Sequence, residues 1–102
     1  MITPSPNVEA VQVFLKSRDG LTGDLGQVGR EFARTINRLQ RLARVVLLSE
    51  QKDFRRTIQR WRLVDGVGEI ELGTERRGGG RFALVARWVA TDNDDTFDEP
   101  RP

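Results

Sequence analysis

Hydrophobic and polar residues follow three rhythms along this chain, and each predicts an element. In "VEAVQVFL", residues 8 to 15, Val11, Val13 and Leu15 fall on every second position among β-branched neighbours, which predicts a first strand. "KSRDGLTGDLG" follows as a turn-rich loop. From Asp24, whose short acidic side chain suits a helix N-cap, the rhythm lengthens. At ~100° per residue, Leu25, Val28, Phe32, Ile36, Leu39, Leu42, Ala43 and Val46 fall within one arc of about 120°. Arg30, Arg34, Arg38, Arg41 and Arg44 fall within the opposite arc. This predicts a strongly amphipathic helix whose apolar face must be buried. "VVLLS", residues 45 to 49, fits either its last turn or a short buried strand, and the apolar run favours strand.

The third rhythm is a hairpin. In "TIQRWRLVDGVGEIEL", Asp65-Gly66 lies between two alternating runs, a strong two-residue turn signal. That turn pairs Val64 with Val67, Arg62 with Glu69, Trp61 with Ile70, Arg60 with Glu71 and Gln59 with Leu72. Opposite charges meet on one face and an aromatic–aliphatic pair on the other, so register and chemistry agree. "GTERRGGG" reads as a flexible loop and "RFALVARWVA" as a final strand. Phe82, Leu84, Ala86 and Trp88 are its expected core face; Ala83, Val85 and Val89, with Arg87, form an outer face less polar than a solvated sheet face.

The expected fold is α+β: one long amphipathic helix packed on a curled antiparallel β-sheet, in the order β-α-β-β-β or, where residues 45 to 49 are strand, with an extra short strand after the helix. That order resembles cystatin-like architecture at the level of element sequence only. None of that family's inhibitory motifs is present, so the resemblance implies nothing about function. The 102 residues suggest one domain over residues 8 to 91, a flexible proline-containing N-terminus at 1 to 7 and a disordered acidic tail at 92 to 102.

Composition narrows the chemistry. With no His and no Cys, thiol- or imidazole-ligated zinc, a cysteine nucleophile and a Ser-His-Asp triad are excluded. No pair of carboxylates stands at a spacing that demands metal or acid–base catalysis. The expectation is a non-enzymatic protein without cofactor or metal. No apolar run approaches the ~20 residues that cross a bilayer, the N-terminus lacks a secretory pattern, and cytoplasmic location is the default.

The net charge of +2 conceals a segregation. Residues 92 to 102 hold five acids and one base, whereas residues 30 to 62 hold ten bases and three acids. The five helix arginines form a stripe about 20 Å long at 1.5 Å rise per residue, suited to oxyanions because guanidinium binds them bidentately. The alternative is a merely solvated face, but such a face usually mixes signs at four-residue spacing, and Glu31 is the single acid between Arg30 and Arg44. Arg55 and Arg56, and the loop arginines Arg76, Arg77 and Arg81, extend the candidate surface. Glycines 20, 23, 26 and 29 precede or open the helix, but the P-loop Lys-Ser/Thr and the dinucleotide spacing are missing. The acidic tail reads as solvating chain, magnesium site or intramolecular mask of the arginines, with solvating chain the commonest case. Trp61 and Trp88 read as core.

Two functions fit. The first is a domain docking its arginine-lined helix on a polyanion, foremost nucleic acid backbone without sequence specificity. The second is an adaptor or structural subunit that meets an acidic protein partner through the arginines and the outer-face residues Val85, Arg87 and Val89. A homo-oligomer is compatible with either, and neither requires a membrane.

Overall fold

The computed structural model describes residues 8–64 and 67–89. The expectations for residues 1–7, for Asp65-Gly66 and for the acidic tail lie outside them. Two helices and five strands follow one another as α1 (Val8–Arg18), β1 (Thr22–Gly23), α2 (Leu25–Leu42), β2 (Val45–Lys52), β3 (Arg56–Leu63), β4 (Glu69–Gly78) and β5 (Arg81–Val89). The strands form one antiparallel sheet in the order β1-β5-β4-β3-β2. The class is α+β, with two helices rather than one and the order α-β-α-β-β-β-β.

The expected strand over residues 8 to 15 is helix. Val8, Val11 and Leu15 also recur at spacings of three and four, and with Phe14 they pack into the core. Val13, which alternation would place beside Val11 and Leu15, is 63% exposed. A difference in intrinsic preference of under ~1 kcal/mol per residue is outweighed by burying that helical stripe against β5.

α2 begins where its N-cap predicts. Asp24 Oδ1 accepts from Gln27 N at 2.8 Å and Gln27 Oε1 accepts from Asp24 N at 3.0 Å, a reciprocal capping box. Such a cap contributes about 1 kcal/mol. Gly26 and Gly29 lie within its first turns. The helix stops at Leu42, because Ala43 is extended (φ −154°, ψ 160°) while its N–H still donates to Leu39 O. Arg44 and Val46, placed on the helix by periodicity, therefore belong to the connection and to β2. The segment at 45 to 49 is strand, continuing to Lys52, though β2 is almost wholly exposed rather than buried.

The β3–β4 register is the expected one: Arg62 faces Glu69, Trp61 Ile70, Arg60 Glu71 and Gln59 Leu72. Its ion pairs differ. Arg60 reaches both Glu69 (3.1 Å) and Glu71 (3.0 Å), and Arg87 Nε adds a 3.1 Å contact to Glu71. The expected Arg62–Glu69 pair does not form, because the two-pronged guanidinium of Arg60 already spans both carboxylates. Gly73 in β4 is dictated by close approach: an added Cβ would stand 1.9 Å from the Thr57 carbonyl oxygen.

Both helices cover one face of β4 and β5, where Val11, Leu15, Leu39, Trp61, Leu63, Ile70, Leu72 and Ala86 form the core. On β5, Leu84 and Ala86 are fully buried, and Phe82 and Trp88 are half-buried. Among the described residues no helix is long and apolar enough to cross a membrane.

Candidate functional site

Burial of Val28, Thr35 and Leu39 fixes the rotation of α2 about its axis. Thr35 is absent from the expected apolar stripe, yet its hydroxyl donates to Glu31 O at 2.6 Å, so it is buried with its polar group satisfied. With that rotation set, Arg30, Arg34, Arg38 and Arg41 all stand exposed. Over these eleven steps the row is about 16 Å long. Arg44 lies beyond the C-cap, exposed in the connection just before β2.

α1 supplies the opposite wall of a groove along this row. Its first depression is lined by Thr22, Gln27 and Arg30 together with Arg18, Glu31 and Arg34. A second shares Arg18, Glu31 and Arg34 and adds Phe14, Thr35 and Arg38. A third, more apolar, continues past Phe14 and Arg38 to Val13 and Leu42, with Glu9 at its rim. Four arginines thus meet one carboxylate in the first two depressions. Glu31 is shared: Arg34 Nη1 approaches it at 2.6 Å and Arg18 Nη1 at 3.7 Å. The Arg18 guanidinium also lies 5.4 Å from the Phe14 ring centroid. Among the described residues no ion pair engages Arg30, Arg38 or Arg41.

The other candidate arginines gather at the end of the sheet where α2 begins. Arg55 and Arg56 occupy the β2–β3 turn, whose shape is held by Asp53: Oδ1 accepts from Arg55 N at 2.7 Å and from Arg56 N at 3.1 Å. These two backbone donors, that of Arg55 first, hold the Asp53 carboxyl below its usual value. Arg76 and Arg77, expected in a flexible loop, lie in β4, which runs on to Gly78, and Arg76 N donates to Arg55 O at 2.7 Å, which ties the β2–β3 turn to β4. Arg77 contacts Glu75 at 3.5 Å. Arg81 Nη2 donates to Thr22 Oγ1 at 3.0 Å, and Thr22 lines the same depression as Arg30 and Arg34. The basic surface therefore passes from the turns into the groove.

The outer-face residues do not make an open apolar surface. Val85 is only 8% exposed, Val89 is half-buried and Arg87 is engaged by Glu71. Exposed apolar side chains instead collect on the edge strand β2, at Val46, Leu47 and Leu48, and on its turn at Phe54. Trp61 is buried, with Nε1 donating to Gln59 Oε1 at 3.1 Å, and neither tryptophan lines the groove. Among the described residues no three acidic side chains gather as a metal-binding group.

Sequence reasoning missed Arg18, Phe14 and Phe54. The i, i+4 spacing of Phe14 and Arg18 was the available signal for the first two, hidden by reading that segment as a strand and a loop. Nothing in the local pattern marks Phe54 as exposed. No protein-family model, curated protein or solved structure matches this chain.

Proposed function

We propose that this chain is a non-enzymatic binding domain whose α2 face docks on a polyanion, foremost the phosphate backbone of nucleic acid. One observation carries the reading: Arg30, Arg38 and Arg41 stand exposed in line, without a carboxylate partner among the described residues, beside Arg34 and Arg18. A duplex presents a phosphate every ~3.4 Å along each strand, so a row of about 16 Å faces several. Arginines on an exposed helix position a backbone and read no bases, so binding is independent of sequence.

The test is affinity for duplex DNA as a function of salt. Engagement of the four α2 arginines gives a log–log slope of about −3.6, a loss of roughly 150-fold between ~50 and ~200 mM salt. An affinity that stays level across that range refutes the reading.

A second reading, an adaptor in a protein assembly, is favoured by the exposed apolar edge of β2. It expects protein to co-purify after nuclease treatment and to be lost on Leu47→Lys, at a position 45% exposed. Retention of that protein by the variant sinks this second reading.

A further inference from the structure

We infer that the β2–β3 turn carries a base-stacking site, so that the preferred ligand of the basic surface is single-stranded nucleic acid. The inference rests on the polyanion reading and adds to it a side chain that the groove does not use. Phe54 is 75% exposed, the most open of the large hydrophobic residues described. It contributes nothing to the core, yet the backbone that carries it is held. Asp53 N donates to Arg56 O at 2.9 Å, and the Asp53 carboxylate accepts from the two following amides, so the turn holds the ring outward. The Arg55 guanidinium lies over one face of the ring, 5.1 Å from its centroid, which leaves the opposite face of this exposed side chain for a base.

The surroundings have the charge that such a ligand needs. Lys52, Arg55, Arg56, Arg76, Arg77 and Arg81 stand around this end of the sheet against Asp24, Asp53 and Glu75. Through Arg81 and Thr22 the same surface reaches Arg30 and Arg34, so one strand passing the turn has a cationic track for its backbone. Backbone contacts along a basic groove combined with stacking on an aromatic ring is how single strands are held without sequence preference. A duplex keeps its bases stacked on each other and offers none to Phe54. A lipid surface is the poorer fit, because one ring gives little apolar area for insertion, whereas one ring suffices for one base.

The experiment compares the full chain with Phe54→Ala and Phe54→Trp, on a thymidine oligonucleotide and on a duplex of equal length. Phe54 is exposed, so both variants are expected to keep the fold, checked by circular dichroism. Phe54→Ala is expected to weaken single-strand binding by about 5-fold or more and to leave duplex binding unchanged. Phe54→Trp is expected to retain single-strand binding and to show emission quenching by the oligonucleotide beyond that of the parent protein. Equal effects of Phe54→Ala on both ligands, or none on either, overturn the stacking site while the groove reading stands. Binding to anionic phospholipid vesicles that depends on Phe54, with no such dependence on the oligonucleotide, assigns the turn to membranes and also overturns it. Failure of the parent protein to bind either nucleic acid at low salt removes the groove reading and the stacking site with it.

Discussion

Replacing Arg38 by glutamine removes one cation from the middle of the α2 row and keeps a polar, though shorter, side chain that suits a helix. Arg38 is exposed and has no ion pair among the described residues, so the fold should change in stability by less than about 0.5 kcal/mol. Each arginine on a duplex phosphate contributes about 0.9 to the log–log salt slope. With four engaged the slope is about −3.6, and with three about −2.7. The affinity lost between ~50 and ~200 mM salt then shrinks from roughly 150-fold to roughly 40-fold. Fluorescence anisotropy with a labelled duplex at several salt concentrations resolves that difference. Arg62→Gln is the matched control. Arg62 is exposed, lies between the buried Trp61 and Leu63 and so points away from the helices, and forms no ion pair among the described residues. Both variants lose one positive charge, and only Arg38→Gln should flatten the slope. If the two variants behave alike, the protein is sensing net charge and α2 has no special part in binding.

Two further outcomes follow from the same geometry. Glu31→Gln removes the carboxylate that holds Arg34 at 2.6 Å and Arg18 at 3.7 Å, so duplex affinity at low salt should rise and the slope should steepen; weaker binding by this variant would show that Glu31 orients the arginines rather than competing for them. Gly73→Ala should cost about 2 kcal/mol or more in urea unfolding, because its Cβ would meet the Thr57 carbonyl 1.9 Å away, whereas Gly29→Ala, with nothing within 4 Å, should stabilise α2 by up to about 1 kcal/mol. Equal effects of the two glycine replacements would contradict the close approach of β3 to β4.

Much of this protein is determined locally, and that part is legible in the residues alone. α2 follows from a 3.6-residue apolar period opened by Asp24, and Gln27 completes the capping box within the same turn. The β3–β4 register is legible in cross-strand chemistry that is short in range, with Arg62 opposite Glu69, Arg60 opposite Glu71 and Trp61 opposite Ile70. The exposure of Arg30, Arg34, Arg38 and Arg41 was equally readable, since a helix that buries one face must show the other.

What the tertiary structure decided concerns residues whose neighbours are distant in sequence. "VEAVQVFL" satisfies both a two-residue and a three-to-four-residue period, and only the surface offered by β5 selects the helix and so brings Arg18 and Phe14 to the groove. Glu69 and Glu71 could each have taken the arginine opposite, but Arg60 reaches both, and Arg87 arrives from a third strand. The apolar run of β2 suggested burial, yet its place at the sheet edge, outside the cover of the helices, leaves Val46, Leu47 and Leu48 in water. Val85 is the converse, an apparently outward residue that the assembled chain buries. Hydrophobic pattern states which side chains are suited to burial; how much cover each receives depends on strand order and helix placement, which no local window contains.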